Sequence, residues 1–189
     1  MLDAVLELFA EGRLAPSAPE VAGRAGVSLR SVFRYYEDTE SLIRAALARR
    51  MELLAPIFEV PDVGQGTFAD RVSRFVDCRL RLYREVAPSA RVSIVAAQKS
   101  PLIADQLTGV RLKQRQQLDA MFEPELSALP EPVRSQAACA LDTLFQFESV
   151  EHLIRHSGSS EQQVAGVLTN ALHRLLDAGS PPAVRVHDH

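Results

Sequence analysis

Aromatic residues make up only 6% of this chain, cysteine occurs twice, and there is no excess of cations, the formal net charge being −3. Each shortage excludes something. Cys78 and Cys139 lie far apart without CxxC spacing, so they are expected as reduced thiols packed as small apolar groups. The charge balance leaves any nucleic-acid binding to a local patch. No apolar run approaches the roughly 18 residues of a membrane-spanning helix. The opening LDAVLELFAEG carries Asp3, Glu7 and Glu11, where a signal peptide would be basic and then apolar. A cytoplasmic protein is expected. GxSxG, a glycine-rich phosphate loop, HExxH and zinc-finger spacing are also missing. The chain is therefore not expected to be an enzyme or to hold a cofactor.

What is present is apolar content with helical period. Hydrophobic residues reach 47% of 189, enough to bury a real core, and no stretch alternates as a strand would. An all-α fold follows. Leu2, Val5, Leu6 and Phe9 open a short helix that ends near Gly12. Ser17 stands three residues before Glu20, a capping-box start for a helix running to Ala25, and Gly26 suits a left-handed cap after it. Ser28 then caps a next helix and Asp38 another, whose buried stripe is Leu42, Ile43, Ala46 and Leu47. The turn between the second and third helices is as short as a helix-turn-helix requires.

The third helix holds three of the chain's few aromatics. In AGVSLRSVFRYYED, Val32 and Tyr36 point toward Val21, Ala22 and Ala25 as core. Leu29, Arg30, Phe33 and Arg34 fall on another face. An apolar pair flanked by guanidinium groups is poor as core but good against base edges and phosphates.

The run SAPEVAGRAGVSLRSVFRYYEDTESLIRAAL resembles the DNA-binding signature of TetR-type transcriptional regulators. Val21, Ala22, Ala25, Gly26, Val27, Ser28, Val32, Tyr35, Tyr36 and Leu42 occupy the recurring positions, and the match covers residues 2 to 50. The resemblance implies an N-terminal three-helix helix-turn-helix DNA-binding domain over 1–50. A larger helical regulatory and dimerisation domain over 51–189 would follow it. It also implies repression, in which a homodimer sits on a palindromic operator and is released by a small-molecule effector. By position, Leu29 and Arg30 would read bases, while Ser31, Phe33, Arg34 and Tyr35 would contact bases or backbone. Ser17 would meet a phosphate at a helix N-terminus. Phe33 replaces a frequent tyrosine, and Thr39 stands where many members carry a phosphate-binding lysine, so contacts are expected to be fewer there. The competing class is a helical ligand-binding or interaction protein with weakened or lost DNA binding.

Beyond residue 50, Pro56, Pro61, Gly64 and Gly66 read as a loop. A helix over 67–86 follows, with Phe68, Val72, Phe75, Val76 and Leu80 inside and Arg71, Arg74, Arg79, Arg81 and Arg84 in solvent. Pro88 and Pro101 bracket a short helix, 102–122 form another, and a long helix is expected from about 132 to 157. An effector pocket among these helices would draw on Phe75, Tyr83, Gln117, Met121, Phe122, Phe145 and Glu148. His152 and His156 share a helix face, and Asp188 lies between His187 and His189, but two histidines make an incomplete metal site, so no metal is expected. Ser160 and Gln163 start a final helix with a continuous apolar stripe. The stripe predicts a homodimer interface centred on Phe145, Leu168, Leu172 and Leu175.

Overall fold

The computed structural model describes residues 1–13 and 16–177, so His187, Asp188 and His189 lie outside the described residues. Helices α1 (Leu2–Ala10), α2 (Ala18–Ala25), α3 (Leu29–Tyr35) and α4 (Thr39–Phe58) come first. They are followed by α5 (Phe68–Ala97), α6 (Pro101–Met121), α7 (Glu123–Ala128), α8 (Val133–Leu144), α9 (Phe147–Glu151) and α10 (Glu161–Leu176). A π-helical stretch, His152–His156, continues α9. No strand occurs among the described residues, and the fold is all-α.

The caps that begin these helices are short-range devices. Ser17 and Glu20 form a reciprocal capping box at α2, as do Asp38 and Ser41 at α4 and Ser160 and Gln163 at α10. At the end of α2 the Val27 N–H donates to Ala22 O at 3.0 Å and the Gly26 N–H to Gly23 O at 3.4 Å. This bond pair is the Schellman motif, and it needs Gly26 at φ 66°. The chain thereby enters α3 within three residues, which makes α2 and α3 a helix-turn-helix.

The chain divides into two compact units. One comprises Met1–Glu59 and Arg81–Leu112, the other Val60–Leu80 and the chain from Lys113 onward. In the first, Val5, Leu8, Phe9, Val21, Ala22, Val32, Leu42, Ala46, Leu47, Ala96 and Ile103 form one apolar cluster, with Ala25, Tyr36 and Ile43 packed against it. In the second, Phe75 packs edge-on against Phe122 and Phe145 with ring centroids 5.4 and 5.1 Å apart, and Leu118, Met121, Leu141, Val164, Leu168 and Leu172 are fully buried.

Several elements depart from the sequence reading. Pro56 lies in the last turn of α4 rather than in a loop, and α5 runs through Pro88 to Ala97 without breaking. A proline inside a helix removes one backbone bond and crowds the preceding turn. Here Pro88 is exposed, the flanking Ala87 and Ala96 are buried, and the Ser89 hydroxyl donates to Val86 O at 2.8 Å, so packing on both sides holds the helix. The expected helix from 132 to 157 breaks instead at Phe145–Gln146, where Gln146 is extended. Burial of the Phe145 ring, a Gln146 amide bond to Asp142 and a 2.6 Å bond from the Ser149 hydroxyl to Thr143 O hold that break. No described helix is long and apolar enough to cross a membrane.

Candidate functional site

Helix α3 has seven residues, and only Val32 is buried. Ser28 caps it, its hydroxyl oxygen accepting the Ser31 N–H at 3.1 Å and lying 2.9 Å from the Ser31 hydroxyl. With Val32 and Tyr36 holding one side to the core, the rest of α3 faces solvent. Leu29, Phe33 and Tyr35 are 41%, 49% and 63% exposed, a large apolar commitment to water for so short a helix. Arg30 and Arg34 are exposed beside them. Arg34 rests on Tyr35, with Nη2 2.8 Å from the phenolic oxygen and Cζ 4.7 Å from the ring centroid.

The other cations around this surface are committed. Arg24 reaches Glu11 at 2.8 Å and Glu7 at 3.4 Å, Arg44 reaches Glu40 at 2.7 Å, and Arg49 reaches Asp3 at 2.9 Å. The Arg24 hydrogen bond holds the Glu11 carboxyl below its ordinary value. Arg30 has no carboxylate partner among the described residues.

At the start of α2, Ser17 is exposed, but its N–H and hydroxyl both donate to Glu20 Oε2, at 2.8 and 2.7 Å. Those bonds lower the Glu20 carboxyl below its usual range, the backbone bond contributing most. A phosphate at this N-terminus would share its donors with a carboxylate. Thr39 is half-buried at the start of α4, whose cap Asp38 accepts the Ser41 N–H at 2.7 Å.

The residues expected to line an effector pocket differ in burial. Phe75, Met121, Phe122 and Phe145 are buried in the second unit, Gln117 is half-buried there, and Glu148 is exposed. Tyr83 belongs by position to the first unit. Of these, only Phe75 and Gln117 meet a feature that the sequence reading misplaced, the side chain of Arg79.

Arg71 and Arg79 were expected in solvent with their neighbours, yet they are only 5% and 4% exposed. The reason is their register: positions 71, 75 and 79 recur every four residues and so lie on the face of α5 that carries Phe75. Arg71 meets both carboxylate oxygens of Glu125, Nη1 at 2.9 Å, and also donates to Met121 O at 2.7 Å. Arg79 donates to Gln117 Oε1 at 3.0 Å and to Gln114 O at 2.9 Å, and its Cζ lies 4.5 Å from the Phe75 ring centroid. It touches no carboxylate among the described residues, and burial pushes its pKa down to about 10.

A second feature that sequence reasoning missed is a small pocket in the first unit, open to solvent, where Arg50, Ser89 and Ser93 join Phe9, Leu47 and Ile103. Burial lowers the Arg50 pKa. Only spatial proximity assembles these residues from α1, α4, α5 and α6.

The residues expected at the dimer centre, Phe145, Leu168, Leu172 and Leu175, differ in exposure. Leu168 and Leu172 have no exposed surface within their own unit, and Phe145 has 6%. They belong to the buried core of the second unit. Leu175 is half-buried, and Val167, on the outer side of α10, is 42% exposed. His152 and His156 lie 5.7 Å apart by ring centroids on the exposed π-helical turn, and no third ligand-bearing group joins them among the described residues.

No protein-family model matches the chain, and no curated protein does. Among solved structures, the chain is similar to the crystal structure of a "putative transcriptional regulator" from Pseudomonas aeruginosa PAO1, at 18% identity with a TM-score of 0.66. The likeness covers 94% of this chain and 88% of that one, so the all-α fold is shared along nearly the whole of both.

Proposed function

We propose that the protein is a transcriptional regulator of the TetR type. Residues 1–50 would bind DNA through α3, and residues 51–189 would carry effector binding and dimerisation. The observation that carries this reading is the contrast on the α2–α3 surface: exposed Leu29, Phe33 and Tyr35 surround Arg30, a cation with no carboxylate partner among the described residues, while its neighbours Arg24, Arg44 and Arg49 are all neutralised. An arginine fork fits guanine in the major groove, and apolar neighbours fit a thymine methyl. Ser31, Arg34 and Tyr35 would meet backbone or bases, with Ser17 and Thr39 at the flanking helix starts.

The functional unit in this reading is a homodimer in the cytoplasm. It would bind two half-sites of a palindrome, about 34 to 36 Å apart, as a repressor that a small-molecule effector releases. The expected dimer surface is the outer side of α10 around Val167, not the buried leucines. Val167→Glu should give a folded monomer with weakened operator binding, whereas Leu172→Glu should unfold the second unit. Sedimentation alongside circular dichroism separates the two.

The direct test titrates the protein onto duplex DNA from upstream of its own gene while salt is varied. Tight binding whose logarithm falls linearly with log salt supports the reading. Equal, weak affinity for that DNA and for unrelated duplex at all salt concentrations refutes it.

A further inference from the structure

We infer that Arg79 is the anchor of a ligand site in the second unit, and that the ligand is a monoanion, a carboxylate attached to an apolar body. The inference rests on the proposed regulator in one respect only, that such a ligand would be its effector.

Arg71 provides the internal standard. It lies two helical turns earlier on the same face of α5, in the same unit and at the same depth, and its charge is met by the carboxylate of Glu125. Among the described residues Arg79 contacts only neutral groups, one amide oxygen of Gln117, one backbone oxygen of Gln114 and the face of Phe75, while the charge of Asp142 reaches it without contact. Each arginine leaves Nε without an acceptor, so the orphaned nitrogen alone does not distinguish them. The lack of a contacting carboxylate does. A buried charge is expensive unless it is paired, and a fold that pairs one of two equivalent guanidinium groups leaves the other for an anion from outside. The free Nε–H supplies a directional donor for that anion, and the guanidinium plane favours a carboxylate over a spherical ion.

The surroundings define the rest of the ligand. Phe75 carries the guanidinium over its ring and packs edge-on against Phe145 and Phe122. These rings suit a hydrocarbon or aromatic body and exclude a second charge. Gln117, through its bond to Arg79, is a positioning residue that sets the direction of the fork.

The test is calorimetric titration of the full chain, without DNA, with octanoate and 2-naphthoate, each beside its primary amide. The amides keep the apolar body and remove the charge. A charge-assisted hydrogen bond is worth a factor of about ten to a hundred in affinity, so at least one carboxylate should bind that much more tightly than its amide. Arg79→Met should remove the preference. Arg79→Lys, which keeps the charge and loses the fork, should retain part of it and carries the test if Arg79→Met does not fold. Acid and amide of equal affinity, no binding of either carboxylate, or full acid preference in Arg79→Met or Arg79→Lys would overturn the proposal. DNA binding is measured separately: loss of acid preference with DNA binding intact defeats this site alone. A carboxylate-binding chain that ignores DNA defeats the regulator reading alone.

Discussion

Arginine takes opposite positions in the two units. On α3, Arg30 and Arg34 stand in solvent among exposed apolar side chains, whereas on α5, Arg71 and Arg79 are buried among aromatic rings. Both segments read alike in sequence, as arginines interleaved with Phe or Tyr. What separates them is the face that the helix register assigns to each guanidinium. On α3 the core claims Val32 and Tyr36 and leaves the cations outside. On α5 the face that carries Phe75 also carries both arginines, and each must find partners in the interior or leave its charge unmet.

Breaking the Arg71 pair should have the largest effect. Glu125→Ala leaves a buried guanidinium without its carboxylate and should lower unfolding free energy by about 3 to 5 kcal/mol in urea denaturation. Next comes Arg30→Ala, expected to cost about 1 to 3 kcal/mol of DNA binding and to relax preference at one position per half-site. Because Arg30 is exposed and unpaired, stability should stay within about 0.5 kcal/mol. Affinity lost equally for all sequences would make Arg30 a phosphate contact.

Gly26→Ala addresses how α3 is presented. At φ 66° any side chain strains the turn, although space is open around the position, so a loss of about 1 kcal/mol is expected, with DNA affinity falling in step. The smallest effect is expected for Arg79→Met. Removing a buried charge that no described carboxylate contacts should leave the melting temperature unchanged or slightly raised. A loss as large as that of Glu125→Ala would show that the two buried arginines are equivalent after all.

The sequence exposed most clearly what is decided within a few residues. The boxes at Ser17–Glu20 and Ser160–Gln163 and the cap at Gly26 depend on neighbours at most five positions away, and each is formed. So is the division of α3 into a Val32 side and an exposed side. The interior of the second unit was not legible in the same way, because its partners are remote in sequence. Glu125 lies 54 positions from Arg71, and Gln117 38 from Arg79. A charge run on a helix ordinarily signals solvent, and only those distant groups make burial tolerable. Pro88 and the Phe145–Gln146 break follow the same rule: tertiary packing overrode the punctuation at the first and imposed a break that no proline or glycine marked at the second. Apolar periodicity on α10 likewise showed that Leu168 and Leu172 are covered, but not that their own unit covers them.

Selection of bound sequences from random duplex tests most directly whether α3 reads DNA. Wild-type protein should enrich a palindrome with half-sites one helical turn apart, and Arg30→Ala should enrich the same palindrome with one position per half-site relaxed. Recovery of no enriched sequence, or of an identical motif with identical preferences from both proteins, would contradict DNA reading by α3.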